Sequence, residues 1–536
     1  MMKAPCDELA IQSRSMTASG APQAGIWILT AAILGSSMAF IDSTVVNVAL
    51  PALQSSLGAT VIDVQWVVES YALFLGALIL VGGSMGDLFG RRRAFLMGVT
   101  VFAAASAWCG LAPSIHQLII ARSIQGLGAA FLVPGSLALI SAAFDEKERG
   151  RAIGTWSGAT AITTAAGPVL GGWLIQHASW RWAFFINLPF AAAVIAISLK
   201  HVPESESTTE KRVDWLGAGI TTVGLGGLVY GLIESARLGW RDPFVFGPFA
   251  IGVACLIAFF FVEARVAEPM VPLQLFKSRP FSGANLLTLF LYAAVGIFFF
   301  LFPLDLIQVQ GYSATATGAA TLPFILLMSF LSRWSGGLVA RYGARLPLIV
   351  GPLITAVGFI LFAVPSVGGS YWSTFFPAFI VLGFGMTISV APLTTVVMEA
   401  VDQDRAGTAS GINNAVARIA GLLAVAVLGI VMVRSFSAQL DRSLARLPIP
   451  AEQRNDIQSS YVKLAALEIP PGVDRNTASE IKASVNDAFF YGFRWIMLIC
   501  AGLSVLGAAQ SWCLIPGKPD LQRQPPQGPK SVSHML

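Results

Sequence analysis

The stretch GGSMGDLFGRRRAFLMG, residues 82–98, returns in altered form as SGGLVARYGARLPLIVG at 335–351. Each copy closes an apolar run. Each then holds a Gly, four residues, a polar position, an aromatic-Gly pair and Arg before the next apolar run begins. Two related halves are the simplest source of such a repeat. Parallel repeats with a binding site at their interface are a transporter architecture.

The rest of the chain supports a membrane setting. Of 536 residues, 55% are hydrophobic and 12% charged, and the mean hydropathy is +0.70. A soluble domain carries about a quarter charged residues. The net charge of +5 reads as loop bias and gives no reason to expect nucleic acid. Cys6, Cys109, Cys255, Cys500 and Cys513 are scattered without disulfide or metal-ligand spacing. The first apolar run has full span length, so it reads as a retained helix and not a signal peptide.

Apolar runs of bilayer length fall at 26–49, 65–86, 94–112, 117–143, 153–176, 182–199, 214–234, 244–263, 281–304, 314–340, 346–364, 372–397, 406–433 and 488–514. An even number of spans places both termini on one side. Arg91 to Arg93, Lys147, Arg149, Arg151, Lys211, Arg212, Lys277, Arg279, Arg341, Arg345 and Arg405 crowd one set of short loops, which makes that side cytoplasmic. The fold class predicted is an all-α membrane protein of two six-helix bundles plus two inserted helices. Its divisions are a tail at 1–25, an N-terminal bundle at 26–200, a linker with the inserted pair at 201–280, a C-terminal bundle at 281–514 and a tail at 515–536. The Gln/Ser/Asp/Pro-rich 434–487 segment reads as an extracellular loop, partly helical.

The fifth run, IGTWSGATAITTAAGPVLGGWLI (153–175), is broken in an odd way. Gly154 and Gly158 are four apart, as are Gly167 and Gly171, with Gly172 beside them, so each pair shares a helix face. Small faces admit a second helix, and Pro168 frees a carbonyl and permits bending. A moving part at the seam between halves is expected.

Four motifs resemble those of the major facilitator superfamily, in its fourteen-helix drug:proton antiporter branch, over nearly the whole chain. The 83–93 loop is similar to the signature between helices 2 and 3, with Gly83, Asp87, Gly90, Arg91 and Arg92 in place and Leu88 where a basic residue is usual. LIIARSIQGLGAA (118–130) resembles the helix-4 signature, IDSTVVNVALP (41–51) that of helix 1, and 153–175 the antiporter signature of helix 5, with Thr163 replacing one Gly. The resemblance implies proton-coupled export of amphiphilic small molecules by alternating access from a bacterial inner membrane. It implies no cofactor, and a monomer with room for a periplasmic adaptor.

Ionisable groups within spans are expensive and mark function by default. Asp42, Glu69 and Arg122 share a similar depth, which makes Asp42 the expected proton carrier, Arg122 its tuner and Glu69 a cargo or second proton site. The alternatives are a structural bond for Asp42 and snorkelling for Glu69. Trp66 and Tyr71 beside Glu69 resemble a cation-accommodating corner. Gln125, Asp305 and Arg418 complete the cavity candidates, Asp305 standing where the family more often has an aromatic. Asp87 is expected to accept from helix amides or Arg92 and hold the cytoplasmic side closed. A proton-coupled uptake symporter and a transport-dead sensor are the competing readings. The four histidines sit at loops, span ends or the tail, and no nucleophile triad, Walker loop or metal cluster appears, so an enzyme is not expected.

Overall fold

The computed structural model describes residues 22–144, 146–204, 214–266, 269–365, 368–401, 406–471 and 473–517. Most of both tails, and the side chains of Asp87 and Arg333, lie outside them. Among the described residues every regular element is helical: α1 Pro22–Leu57, α2 Val61–Phe89, α3 Arg91–Leu111, α4 Ile115–Ala143, α5 Glu146–His177, α6 Trp182–Phe185, α7 Asn187–His201, α8 Trp215–Leu238, α9 Pro243–Glu263, α10 Arg279–Leu304, α11 Ala314–Ala320, α12 Leu322–Tyr342, α13 Pro347–Ala363, α14 Tyr371–Glu399, α15 Ala406–Leu444, α16 Ala451–Ser459 and α17 Arg475–Leu514. Thirteen spans are long and apolar enough to cross a bilayer, and α13, at 17 residues, is a shorter apolar helix that brings the number to the fourteen expected.

Tight turns follow from side chains that cap helices. Thr60 accepts from the Asp63 amide while Asp63 accepts from the Thr60 amide, a reciprocal box that starts α2 three residues after α1 ends. Ser114, Asp214, Asp242, Ser313 and Asp474 cap α4, α8, α9, α11 and α17, each side chain accepting from a backbone amide in the first turn. Bilayer interiors leave no water for backbone groups, so short capped turns at the faces are the economical connection.

In the N-terminal half α4 packs against α2 and α3, with Gly126 lying so near the Tyr71 carbonyl that a Cβ would overlap it. The C-terminal half is built around Phe298, Phe302, Phe359, Phe362, Phe375 and Phe379, whose rings meet edge-on, tilted or stacked at 4.7–6.4 Å. Two seams join the halves. At one, Gln65 of α2 donates to the Val425 carbonyl of α15 at 2.9 Å. At the other, α5 meets α11: a Cβ on Gly172 would overlap the Ala314 carbonyl, and one on Gly318 the Pro168 carbonyl.

That second seam is closed only at the outer end, taking the basic loops as cytoplasmic. Gly154 and Gly158, toward the inner end of α5, have nothing within 4 Å of an added Cβ, and neither do Gly336 and Gly337 of α12. The expectation that both glycine pairs seat helix 5 against the other half is therefore corrected. Gly167 and Gly171 seat α5 on Thr44 and Val45 of α1, in its own half, and only Gly172 and Pro168 reach across.

The inserted pair has a definite place. Leu225, Val229 and Ile233 of α8 form one apolar cluster with Ile62, Leu73 and Ala77 of α2 and Leu422 and Ala426 of α15. The helix thus lies over the α2/α15 seam and touches both halves. Its partner α9 is mostly exposed and presents Phe244, Phe246, Phe260 and Phe261 outward, to lipid.

The outer segment is more helical than its composition suggests. Helix α15 continues to Leu444, past the expected end at 433, and α17 begins at Arg475, ahead of 488. Phe436, Leu440 and Leu444 share a buried cluster with Ile481, Val485 and Phe489, so the two helices pair beyond the bilayer. Between them a 3-10 turn, Tyr461–Ala466, drops onto the bundle. Its Leu464 is buried with φ of 51°, the one non-glycine residue at positive φ among those described. That conformation costs about 1–3 kcal/mol and persists only where packing enforces it.

Candidate functional site

Helix α1 turns one face inward because Ile41 and Val45 pack with Ala183. Asp42, on the same stretch, is wholly buried in the N-terminal half. Its Oδ2 accepts from Arg122 Nη1 of α4 at 2.5 Å. Its Oδ1 accepts from Gln125 Nε2 at 2.9 Å and from Asn187 Nδ2 of α7 at 3.3 Å. Arg122 is held as fully. Nη1 also donates to Gln125 Oε1 at 2.8 Å, Nε donates to the Val67 carbonyl at 3.1 Å, and the guanidinium lies 4.2 Å from the Tyr71 ring centroid.

Gln125 is the keystone of this arrangement. Its carbonyl accepts from Arg122 and its amino group donates to Asp42 and, at 3.2 Å, to Ser106 Oγ of α3. Ser106 in turn accepts from Asn187 at 3.0 Å and donates to the Phe184 carbonyl at 2.9 Å. Side chains from α1, α3, α4 and α7, with the α2 carbonyl, close one network. A buried ion pair is stable only when its remaining donors and acceptors are met.

The sequence brought Asp42, Arg122, Gln125 and Tyr71 to notice, and the structure places them together. Tyr71 serves as the aromatic floor under Arg122, and its hydroxyl is buried without a hydrogen-bond partner. The predicted corner of Trp66, Tyr71 and Glu69 does not form. Trp66 Nε1 donates at 3.0 Å to Glu234 of α8, which also pairs with Arg237 at 2.8 Å. Glu69 is buried with its Oε2 unpartnered and takes no part in the Asp42 network. Sequence reasoning missed Ser106 and Asn187, since neutral polar residues in apolar runs are common. Their depth, matched to Asp42 across neighbouring helices, was the usable signal.

Arg418 of α15 sits across from this site. It lies against Gly76 of α2, within electrostatic range of Tyr71 and Tyr292, and is partly exposed. Asp305 takes no part in the Asp42 network and lies in a π turn at Asp305–Val309 that follows α10.

At the inner face Gly90, at φ of 93°, turns α2 into α3. The carboxylate that meets this turn is Glu204, after α7. Its Oε1 accepts from the Arg92 amide at 3.0 Å, and Oε2 lies 3.6 Å from both the Arg92 and Arg93 Nε atoms. Arg92 Nη1 also donates to the Val202 carbonyl at 3.0 Å. Glu204 is a residue the sequence reading passed over; the side chain of Asp87, expected to meet Arg92, lies outside the described residues. Gly83 stands in ordinary contact with Pro134 of α4.

Comparison with known proteins now adds to the geometry. The family model for the Major Facilitator Superfamily matches residues 32–425. The multidrug resistance protein Stp of Mycobacterium tuberculosis is 38% identical over 433 residues, 79% of each chain. The tetracenomycin C resistance and export protein of Streptomyces glaucescens is 32% identical over 518 residues, 94% of each chain. The puromycin resistance protein of Streptomyces alboniger is 33% identical over 442 residues, 81% of this chain and 87% of that one. Among solved structures, a bacterial homologue of the human lysosomal transporter Spinster, inward-facing and unoccupied, has a TM-score of 0.62 at 17% identity, with 92% of this chain and 98% of that chain covered. An auto-inhibited peptide transporter of the POT family also has a TM-score of 0.62, at 14% identity, covering 92% and 96%. The structural likenesses carry the fold.

Proposed function

The chain belongs to the major facilitator superfamily, and we propose that it exports amphiphilic small molecules in exchange for protons by alternating access. The observation that carries this reading is the buried Asp42–Arg122 pair, the one ion pair among the described residues with both partners sealed inside a bundle. Arg122 stays charged at any working pH, so Asp42 is the member of the pair that exchanges a proton. Protonation weakens the clamp among α1, α4 and α7, and deprotonation restores it. Cargo and proton compete through that clamp, each favouring a different state of the bundle.

The relatives' names, which speak of resistance and export, support outward direction for this chain and recommend puromycin and tetracenomycin C as first cargoes to try. Closure at the outer ends of α5 and α11 with bare glycines toward the inner ends supports a cytoplasm-facing resting state, from which an exporter loads. Arg418, with no carboxylate paired to it among the described residues, is the cargo-side candidate from the C-terminal half. Glu204 and the basic turn at 91–93 brace α2, α3 and α7 at the inner face as the N-terminal half moves.

The test is transport into inverted vesicles energised by a pH gradient. Wild type should accumulate one or more compounds of a resistance panel, with collapse of the gradient stopping it. Asp42→Asn should lower the rate at least about a hundredfold, the kinetic equivalent of roughly 3 kcal/mol, while folded protein remains in the membrane. Undiminished gradient-driven transport by Asp42→Asn would remove it from the mechanism.

A further inference from the structure

Another buried acid, Asp305, lies in the C-terminal half. Asp305 has no solvent exposure, and neither carboxyl oxygen has a hydrogen-bond partner. It opens a π turn, in which the Gln310 amide reaches back five residues to the Asp305 carbonyl at 3.0 Å. Such turns cluster at functional sites because they re-aim side chains at some cost in helix stability. Here the turn gathers Asp305, Gln308 and Gln310, and buried polar atoms of all three lack partners. The Gln310 side chain stands close enough to interact with the carboxyl without closing a hydrogen bond.

The same turn locks the outer gate. Gln308 Nε2 donates to Gln54 Oε1 of α1 at 2.9 Å, and Gln54 Nε2 donates to the Lys463 carbonyl of the outer 3-10 turn at 3.0 Å. Gln310 Oε1 accepts from the Gly368 amide between α13 and α14 at 3.0 Å. One short segment thus ties together α1, the outer 3-10 turn and the C-terminal half. The titratable and charged groups on elements around it are Tyr312, Tyr371, Tyr461, Lys463, Lys482 and Arg494. Lys482 donates to the Ala465 carbonyl at 3.1 Å, Arg494 to the Pro365 carbonyl at 3.1 Å and Tyr371 to the Ala320 carbonyl at 2.9 Å. None of the six pairs with Asp305.

We propose that Asp305 is a second proton site, seated in the C-terminal half, and that the outer gate closes only around its neutral acid. Leaving an ionised carboxylate buried with no donor costs several kcal/mol. The closed arrangement therefore requires the proton, and loss of the proton drives the turn toward water, parting Gln308 from Gln54. This rests on the reading of the chain as a proton-coupled transporter. It adds that protonation from the outer side is what permits the gate to shut behind released cargo. An exchanger with acids in both halves would then carry a proton at each of two points in its cycle.

Spin labels at exposed Ser55 of α1 and exposed Ser373 of α14, in protein with Cys6, Cys255 and Cys513 replaced by Ser, report the gate without any cargo. Between pH 5 and 9 the distance between labels should lengthen, the open-to-closed ratio rising by up to about tenfold per pH unit for one proton. Asp305→Asn, neutral at every pH, should hold the short distance throughout, and Asp305→Glu should restore opening with a displaced midpoint. An Asn variant that opens with the wild-type midpoint, or a wild type blind to pH, overturns the proposal. If the Asn variant does not purify as a single species, the Glu variant decides, an unmoved midpoint being adverse. Asp42→Asn is measured beside them. Loss of the pH response there, with its retention in Asp305→Asn, defeats the outer-gate site and leaves Asp42 coupling intact. Normal transport by Asp42→Asn defeats the coupling reading while the label distances still judge Asp305.

Discussion

At the scale of single residues, Gln125 is the most exposed to test. Its amide serves four partners at once, Arg122, Asp42, Ser106 and the Cys109 thiol. Gln125→Ala should strip these bonds and leave buried polar groups unmet, at about 1–3 kcal/mol each. A fall of several degrees in detergent melting temperature checks this, together with reduced transport. Gln125→Glu keeps the shape but sets a carboxylate beside Asp42, so it should impair transport more than it impairs folding. Glu204→Gln should slow turnover while cargo affinity changes little, since it loosens Arg92 and Arg93 at the inner face and touches no cavity residue. Direct binding measured beside transport separates the two effects. The sequence displayed Asp42, Arg122 and Gln125 because charge inside an apolar run is costly and conspicuous. Glu204 was hidden because a carboxylate in a basic, polar loop looks solvated until the fold brings Gly90 to within a Cβ's reach of it.

Among elements, α5 shows how far periodicity can be read. Four-residue spacing correctly told which glycines share a face, yet spacing carries no information about which neighbour that face meets. Gly167 and Gly171 turned to α1, Gly172 to α11, and Gly154 and Gly158 to no neighbour within 4 Å. Gly172→Leu and Gly318→Leu should each block outer closure, since forced overpacking of a tight contact costs about 1–3 kcal/mol. Gly158→Ala should express and transport near wild-type levels, and comparable loss in all three variants would defeat the assignment of the seam. The extensions of α15 and α17 were legible in principle. Phe436, Leu440 and Leu444 repeat at four-residue steps, as do Ile481, Val485 and Phe489, but polar residues between them pulled the reading toward a loop. The π turn was not legible, because the bond from the Gln310 amide back to the Asp305 carbonyl follows from no residue preference.

For the whole molecule, two halves and an inserted pair could be read from the repeat, the span count and the basic loops. How the halves touch could not, since that depends on which state the structure occupies. A cysteine at position 158 should react quickly with a membrane-permeant maleimide, whereas one at 172 should be protected; a pH gradient that drives the transporter outward should narrow the difference. Equal reactivity at both sites would contradict closure at the outer end alone. The position of α8 has a further consequence. Because it lies over the α2/α15 seam and is joined to α2 through Trp66 and Glu234, that flank is sheathed whenever the halves rock. The α5/α12 flank has no such cover, and its inner glycines are bare. If the cargo is a lipophilic compound dissolved in the inner leaflet, it should meet one shuttered side and one open side, and bulky residues at 154, 158, 336 and 337 should slow its transport where the same change on α8 does not.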